Sequence, residues 1–249
     1  MVRIDAATST GLVRKRNEDS AYVGHWLCAV ADGMGGHAAG DVASTTVIEA
    51  IRSFDVRTDD PARLTTILSA AIRAANSELT MKSRANANLG NMGSTLTAML
   101  WSADHFAIAN IGDSRAYLLR KKVLIPLTED HVLSNLLASP KPTEIGSYLV
   151  RFLDARPGWS ADLTLRTAHP GDRYLICSDG LSGFVTVNAI RDVLAQAGEV
   201  DQAVAGLIDL AHTVGAPDNV TVIVADVSDG AWRERTENPL VLGAAAHLA

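Results

Sequence analysis

The sequence predicts an α+β fold in which helices pack on the outside of antiparallel sheets. Apolar segments of strand length come in clusters, and segments of helical periodicity come in pairs. The chain therefore lacks the regular strand–helix alternation of a parallel sheet. Apolar residues make up 47% and charged residues 20% of the 249 residues, a balance typical of a globular protein with a substantial core.

The strand predictions rest on short apolar or alternating runs that end at turn residues. In the first half of the chain we predict strands at Val2–Thr8, Ser20–Trp26, Trp26–Ala31, Thr95–Trp101, His105–Asn110, Ala116–Arg120 and Val123–Leu127. In the second half we predict strands at Leu163–Thr167, Arg173–Cys177 and Val220–Asp226.

The helix predictions rest on apolar residues that recur every three or four positions. They place helices at about Val42–Ile51, Pro61–Lys82, Val187–Gln196 and Val200–Val214. Proline is favourable at the start of the second helix, because the first turn of a helix needs no backbone N–H.

No internal repeat or low-complexity segment divides the chain, and we interpret residues 1–228 as one domain. Within it, residues 131–161 form a less regular segment with short helical patches and several prolines. The last residues, 229–249, show no clear periodicity, and we expect them to be a peripheral tail.

Charge and composition exclude several classes of partner. A net charge of −6 argues against nucleic acid, whose phosphates demand a basic surface. The longest charge-free stretch, residues 85–103, is interrupted by polar residues and glycine, so it does not predict a membrane span. The N-terminus lacks the apolar core of a signal peptide, and two cysteines are no disulfide framework. We therefore expect a cytoplasmic monomer.

Three aspartates share a local context that suggests metal binding. Asp32 and Asp179 each follow an apolar run and precede a glycine, and Asp218 lies in a turn just before a strand. A single Asp-Gly at a strand end is usually only a turn, but the ends of adjacent strands can converge. Converged carboxylates repel one another unless a cation lies between them, and oxygen ligands select Mg²⁺ or Mn²⁺. The glycines would let the backbone pass close to such an ion.

Arg14 is a candidate phosphate ligand, because a guanidinium forms bidentate hydrogen bonds to phosphate oxygens. A solvated basic turn is the alternative, because Arg14 begins a run of three basic residues. A cysteine-dependent phosphatase would need an arginine six positions after its nucleophile. Met34 and Gly183 stand at that distance from Cys28 and Cys177, so neither cysteine qualifies. A nucleotide-binding loop with Gly-Lys-Ser/Thr is also absent from the sequence.

Seven short motifs occur in order between about Thr10 and Asp226, over nearly the whole chain. Together they resemble the metal-dependent Ser/Thr protein phosphatases, the PPM or type 2C family, and especially its small bacterial members. The motifs are Gly11-Leu-Val-Arg14 with Asn17-Glu-Asp19, Asp32-Gly-Met-Gly-Gly-His37, Gly93-Ser-Thr95, Asn110-Ile-Gly-Asp-Ser-Arg115, Leu127-Thr-Glu-Asp-His131, Gly171-Asp172 with Cys177-Ser-Asp-Gly-Leu181, and Asp218-Asn-Val-Thr221.

The resemblance implies a four-layer αββα sandwich of two antiparallel sheets, with a dinuclear Mn²⁺ or Mg²⁺ centre at one end. By this analogy Asp32 would bridge both ions, and Asp179 and Asp218 would complete the first site. The carbonyl of Gly33 and the carboxylate of Glu18, the latter through water, would serve the second ion.

Further roles also follow from the resemblance. Arg14 would hold the phosphate, and Asp113 with Asp179 would match a weaker third metal site of bacterial relatives. The implied reaction is hydrolysis of phosphoserine and phosphothreonine in proteins. A hydroxide that bridges the two metals would attack phosphorus in line, without a phospho-enzyme.

Three departures from the family pattern concern the same site. Met34 replaces a histidine that some relatives place after Asp-Gly as a candidate acid, and we do not assign that role to His37. Gly183 replaces an aspartate that often accompanies the third metal site. Residues 131–161 are shorter than the usual flap beside the substrate groove. These changes bear on leaving-group protonation, third-metal binding and substrate selection.

The leading hypothesis is thus a phosphoprotein phosphatase that opposes a bacterial Ser/Thr kinase. One alternative is a non-catalytic relative that binds phosphorylated partners as a scaffold. The presence of Asp32, Asp179 and Asp218 argues against it. Another alternative is a hydrolase for small phosphate esters, which the same metal centre would serve.

Overall fold

The computed structural model describes residues 2–35, 39–136, 148–156, 160–228 and 238–248. The strands are β1 (Val2–Ser9), β2 (Asp19–Val23), β3 (Leu27–Met34), β4 (Gly93–Ser94), β5 (Leu96–Ser102), β6 (His105–Ile111), β7 (Arg115–Arg120), β8 (Val123–Pro126), β9 (Asp162–Thr167), β10 (Arg173–Cys177), β11 (Val220–Val227) and β12 (Leu240–Gly243). The α-helices are α1 (Ala39–Ile51), α2 (Leu64–Ala85), α3 (Leu133–Leu136), α4 (Asp179–Ser182), α5 (Val187–Gln196) and α6 (Val200–Thr213).

The strands form two antiparallel sheets. The first has the order β1-β11-β10-β7-β8, and the second has the order β12-β2-β3-β5-β6-β9, with β4 paired to the end of β3. One buried cluster lies between the sheets, a second joins the second sheet to α1 and α2, and a third joins the first sheet to α5 and α6. These layers confirm the α+β prediction and the four-layer αββα arrangement.

Strand β3 shows why some strands read as uninterrupted apolar runs. Cys28 and Val30 face the cluster between the sheets, whereas Ala29 and Ala31 face the cluster under α1 and α2. Because successive side chains of a strand point to opposite faces, a strand covered on both faces must be apolar at every position. The apolar run that precedes Asp32 is therefore a consequence of this central position.

Helix α2 follows the predicted apolar stripe. Its buried residues include Leu64, Leu68, Ile72, Ala75 and Leu79, which recur every three to four positions. A 3-10 turn at Pro61–Arg63 precedes it, so the predicted start at a proline is confirmed. In the part of the chain that the structure describes, no helix is both long and apolar enough to cross a membrane.

Two strand boundaries differ from prediction by three residues, and the other differences are smaller. Strand β2 ends at Val23, because the carboxylate of Asp55 accepts the N–H groups of His25, Trp26 and Leu27 at 2.7–2.9 Å and holds them in a turn. Strand β3 continues through Asp32 to Met34, because its last two residues pair with β4. The expected break of the strand at Asp32 is therefore wrong.

The end of the chain is more ordered than the expected peripheral tail. Strand β12 pairs with β2 and forms an edge of the second sheet, and Val241 and Ala245 are buried against the cluster that contains α1. Four residues are too few to show strand periodicity in the sequence, and their partner strand lies more than 200 positions earlier. The description as a peripheral tail thus fails for residues 240–248, while residues 229–237 lie outside the described residues.

Candidate metal centre

The predicted site residues line one open pocket of about 540 Å³. Met34, Tyr148, Leu149 and Phe152 also line this pocket. The structure therefore brings together every site residue that the sequence suggested: Arg14, Glu18, Asp32, Gly33, Asp113, Asp179 and Asp218.

Asp32 is held by the backbone and side chains of the β4–β5 segment. Its N–H donates to Thr95 Oγ1 at 3.0 Å, and its carbonyl accepts the Thr95 N–H at 2.9 Å and the Ser94 hydroxyl at 3.0 Å. Thr95 also contacts the Ser114 hydroxyl at 2.8 Å, beside Asp113. These bonds explain the Gly93-Ser-Thr95 motif, because it fixes two acidic segments of the pocket to each other.

Asp179 and Asp218 lie at the ends of neighbouring strands, as their sequence context suggested. Asp179 directly follows the residue after β10 and begins α4, and Asp218 lies two residues before β11. Because β10 and β11 are antiparallel, the end of one is beside the start of the other. This pairing places the two carboxylates on the same side of the pocket.

The glycines after Asp32 and Asp179 permit close backbone packing. A Cβ on Gly33 would overlap the carbonyl oxygen of Gly40 in α1, and a Cβ on Gly180 would overlap that of Asn219. The sequence suggested that these glycines admit an ion. The structure shows a different requirement, because each lets a carboxylate-bearing turn press against another backbone segment.

Burial and mutual repulsion raise the pKa values of four pocket carboxyls, those of Asp32, Asp179, Asp113 and Glu18. Burial is the main cause for Asp32, whose pKa is raised further by Asp19, Asp179 and Asp113. Burial and the charge of Asp218 raise the pKa of Asp179, which is in hydrogen-bond contact with Asp32. Burial, followed by the charge of Asp179, raises the pKa of Asp113 to about 7. Glu18 is shifted in the same direction, chiefly by burial.

Asp19 is a pocket-supporting residue to which the sequence reasoning gave no role. It is fully buried and pairs with Asp32 across β2 and β3. Its Oδ2 accepts the hydroxyls of Ser178 and Thr221, each at 2.7 Å. Burial raises its pKa to about 7. The available signal was its place in the Asn17-Glu-Asp19 motif, at the start of a buried strand.

His131 supports the Asp113 segment. Its Nδ1 accepts the Gly112 N–H at 3.1 Å, and its own backbone N–H donates to the Gly112 carbonyl at 2.9 Å. Since Nδ1 is an acceptor, the ring proton is on Nε2, which donates to Asp162 Oδ2 at 3.1 Å. Arg151 bonds the other oxygen of Asp162 at 3.0 Å. A described part of residues 131–161 is thereby tied to the pocket, while residues 137–147 and 157–159 lie outside the described residues.

The candidate metal ligands lie close together, but they do not have the arrangement of a preformed metal site. Among the residues that the structure describes, no three acidic, histidine or cysteine side chains have the spacing that one metal ion requires. One reason is that Arg14 Nη2 donates to the Asp218 carboxylate at 2.7 Å. Binding of a cation would require Asp218 to exchange this partner for the ion.

The chemistry of the pocket nevertheless fits hard divalent cations. In the described part of the chain, Asp19 Oδ1 and Asp179 Oδ1 are buried and have no hydrogen-bond partner. Burying a carboxylate oxygen without a hydrogen-bond partner costs free energy. A bound cation would offset both this loss of solvation and the repulsion between the carboxylates. All side-chain donors here are carboxylate oxygens, which favour Mg²⁺ or Mn²⁺ over softer metals.

The raised pKa values predict that the metal-free protein loses stability as pH rises from about 4 to about 7. In this window the folded protein binds more protons than the unfolded chain, so the free energy of unfolding falls as pH rises. The lowered pKa of Asp172, next to Arg120, has the opposite effect, but only below about pH 4.

Denaturant unfolding at several pH values, with chelator and with saturating Mn²⁺, would measure this slope. The cation should reduce or reverse it, because bound carboxylates stay ionised. A slope that is the same in both series would contradict the prediction.

Comparison with known proteins agrees with the fold. A family model described as protein phosphatase 2C matches residues 14–231. The chain therefore belongs to the protein phosphatase 2C family.

Bacterial Ser/Thr phosphatases are among its relatives. The chain is 43% identical to the serine/threonine protein phosphatase PstP of Mycobacterium tuberculosis over 98% of its own length and 48% of that protein. It is 33% identical to the serine/threonine phosphatase stp of Listeria monocytogenes over 88% of its length and 93% of that protein. The chain thus spans about half the length of the first of these curated relatives.

Solved structures show the same fold. A crystal structure of the M. tuberculosis phosphatase PstP/Ppp has a TM-score of 0.85 and 42% identity, and covers 92% of this chain and 99% of that one. The catalytic domain of PstP in complex with two manganese ions has a TM-score of 0.84 and 44% identity, with the same coverage.

Proposed function

We propose that this protein is a metal-dependent phosphatase that hydrolyses phosphoserine and phosphothreonine in proteins. The observation that carries the proposal is the single pocket in which Asp32, Asp179, Asp218 and Glu18 meet beside the guanidinium of Arg14. Carboxylates that bind metal ions and a guanidinium that binds phosphate are the two features that metal-assisted hydrolysis of a phosphomonoester needs.

In this proposal the carboxylates and one backbone carbonyl hold two divalent cations. Asp32 would contact both, Asp179 and Asp218 would complete one site, and Gly33 and Glu18 would serve the other. When bound, two such cations neutralise the phosphate and acidify a water for in-line attack on phosphorus. Mn²⁺ is the first ion to test, because a structural relative is described with two manganese ions.

The remaining residues of the pocket would bind and orient the substrate. Arg14 is half-exposed, so its guanidinium can leave Asp218 and form bidentate hydrogen bonds to phosphate oxygens. Asp113 would contribute to a weaker third cation site with Asp179. Met34 lines the pocket and has no proton to give, so we infer that water protonates the leaving serine or threonine oxygen.

The inferred partners are phosphorylated proteins and a cognate Ser/Thr kinase whose action the enzyme reverses. We also infer that residues 1–228 form the catalytic domain together with strand β12, which completes its second sheet, and that the protein acts as a monomer in the cytoplasm. The phosphoprotein substrates are supported by the bacterial Ser/Thr phosphatases that resemble this chain over most of its length.

The test is phosphate release from phosphothreonine peptides and from an aryl phosphate, with Mn²⁺, with Mg²⁺ and with chelator. We expect hydrolysis of the peptides that requires the metal. Turnover of the aryl phosphate without any peptide turnover would favour a hydrolase for small esters. Binding of phosphopeptides without release of phosphate would favour a scaffold.

A further inference from the structure

The loop that carries Arg14 is fastened by one buried amide. Asn219 is 5% exposed and directly follows Asp218. Its Nδ2 donates to the carbonyl oxygens of Thr10 at 2.9 Å and Arg16 at 2.8 Å. Its Oδ1 accepts the backbone N–H of Glu18 at 2.8 Å. One side chain thus bonds the backbone at the beginning, middle and end of residues 10–18.

Several bonds besides those of Asn219 hold this loop. Residues 12–16 are exposed to solvent, but the Leu12 N–H donates to the Ala216 carbonyl at 2.9 Å, Arg14 bonds Asp218 at 2.7 Å, and Asn17 Nδ2 donates to Thr8 Oγ1 at 2.8 Å. The bonds of Asn219, Leu12 and Arg14 all reach the turn at residues 216–219, which also carries Asp218. The amide therefore links the loop with Arg14 and Glu18 to the turn that supplies another pocket carboxylate.

We propose that Asn219 is a positioning residue, whose amide holds residues 10–18 so that Arg14 and Glu18 face the pocket. This inference rests on the proposed function, because it assigns Arg14 to the substrate phosphate. Asparagine has the required chemistry, because its side-chain NH₂ group donates to two backbone carbonyls and its side-chain oxygen accepts one backbone N–H. An aspartate would direct a carboxylate oxygen at a backbone carbonyl, and alanine would leave three backbone groups without their partner.

A double-mutant cycle with Arg14 tests the proposal. We expect Asn219→Ala to raise KM for a phosphothreonine peptide by about 10- to 100-fold, the usual effect of losing an outer support of a site. At saturating Mn²⁺, which offsets weaker ligation by Glu18, the variant Arg14→Ala/Asn219→Ala should have the KM of Arg14→Ala alone, because Asn219 then acts on phosphate binding through Arg14. If the fold-changes in KM of the two single variants multiply in the double variant, the proposal is wrong.

Hydrogen exchange gives a readout independent of activity. The Glu18 amide should exchange faster in Asn219→Ala than in the wild type. Asp55→Ala is the matched control, because Asp55 also fixes three backbone N–H groups of a turn, at the opposite end of β2 and β3. It should leave KM and exchange at residues 10–18 unchanged. Unchanged Glu18 exchange in Asn219→Ala would overturn the proposal.

A second variant and the wild-type activity distinguish the possible outcomes. If Asn219→Ala does not fold, Asn219→Asp keeps the size and the acceptor for Glu18 but loses both donors, and it should also raise KM. A wild type that hydrolyses no phosphopeptide would defeat the proposed function, whereas the exchange measurement would still report whether the amide holds the loop.

Discussion

Replacing Asp32 with asparagine is expected to lower kcat/KM for a phosphothreonine peptide by about 10³-fold at saturating Mn²⁺. The backbone of Asp32 lies between β2 and the β4–β5 segment, and its carboxylate is close to that of Asp179. Losing the proposed ligand of both cations would remove several kcal/mol of charge stabilisation, and each 1.4 kcal/mol is a factor of ten in rate. Phosphate release by the variant and the wild type, over a range of Mn²⁺ concentrations, measures the effect.

Stability separates this loss from misfolding. In the presence of chelator the Asp32→Asn variant should have a Tm at or above that of the wild type. The substitution removes a buried negative charge that faces Asp19 and Asp179. Asp192→Asn, on an exposed face of α5, is the matched control and should alter neither property. An active Asp32→Asn variant, or one with a much lower Tm under chelation, would refute the assignment.

Substituting alanine for Gly180 is expected to lower the free energy of unfolding by about 3 kcal/mol, the upper range for overpacking a dense interior. The new Cβ would overlap the Asn219 carbonyl, and a backbone group cannot rotate aside as a side chain can. The two turns would move apart, and with them Asp179 and Asp218. Activity should therefore fall together with stability.

Urea unfolding and a Mn²⁺ titration would measure both consequences of Gly180→Ala. Gly198→Ala is the control, because its Cβ would meet only the end of the Gln202 side chain at 3.4 Å. That variant should be neutral or slightly more stable, since alanine restricts the unfolded chain. A Gly180→Ala protein as stable as Gly198→Ala would show that the turns have room to adjust.

Local sequence patterns were sufficient for most of the fold. The helix α5 has the predicted bounds, and α6 ends one residue earlier than predicted. Asp179 and Asp218 were found from strand-end context alone, because an apolar run that stops at an acid marks a buried strand opening into a loop. Pairing between distant segments was harder to predict. The extension of β3 past Asp32 depends on β4, and β12 depends on β2.

The supporting residues of the pocket were missed for a related reason. Asp19 and Asn219 are single polar residues whose role depends on burial and on partners about 200 positions away. Such contacts leave no periodic signal in the sequence. The competition of Arg14 for Asp218 could not be foreseen either, since it depends on side-chain geometry.

The long-range bonds around Asn219 also have a consequence for biosynthesis. Strand β11 lies between β1 and β10, and the bond from Glu18 to Asn219 spans 201 positions. Contacts so distant in sequence form late, because the intervening chain must first be ordered. On the ribosome, residues 10–18 cannot be fastened until the segment near residue 220 has emerged. We therefore expect a nascent chain of this protein to lack the proposed phosphatase activity until most of it has been translated.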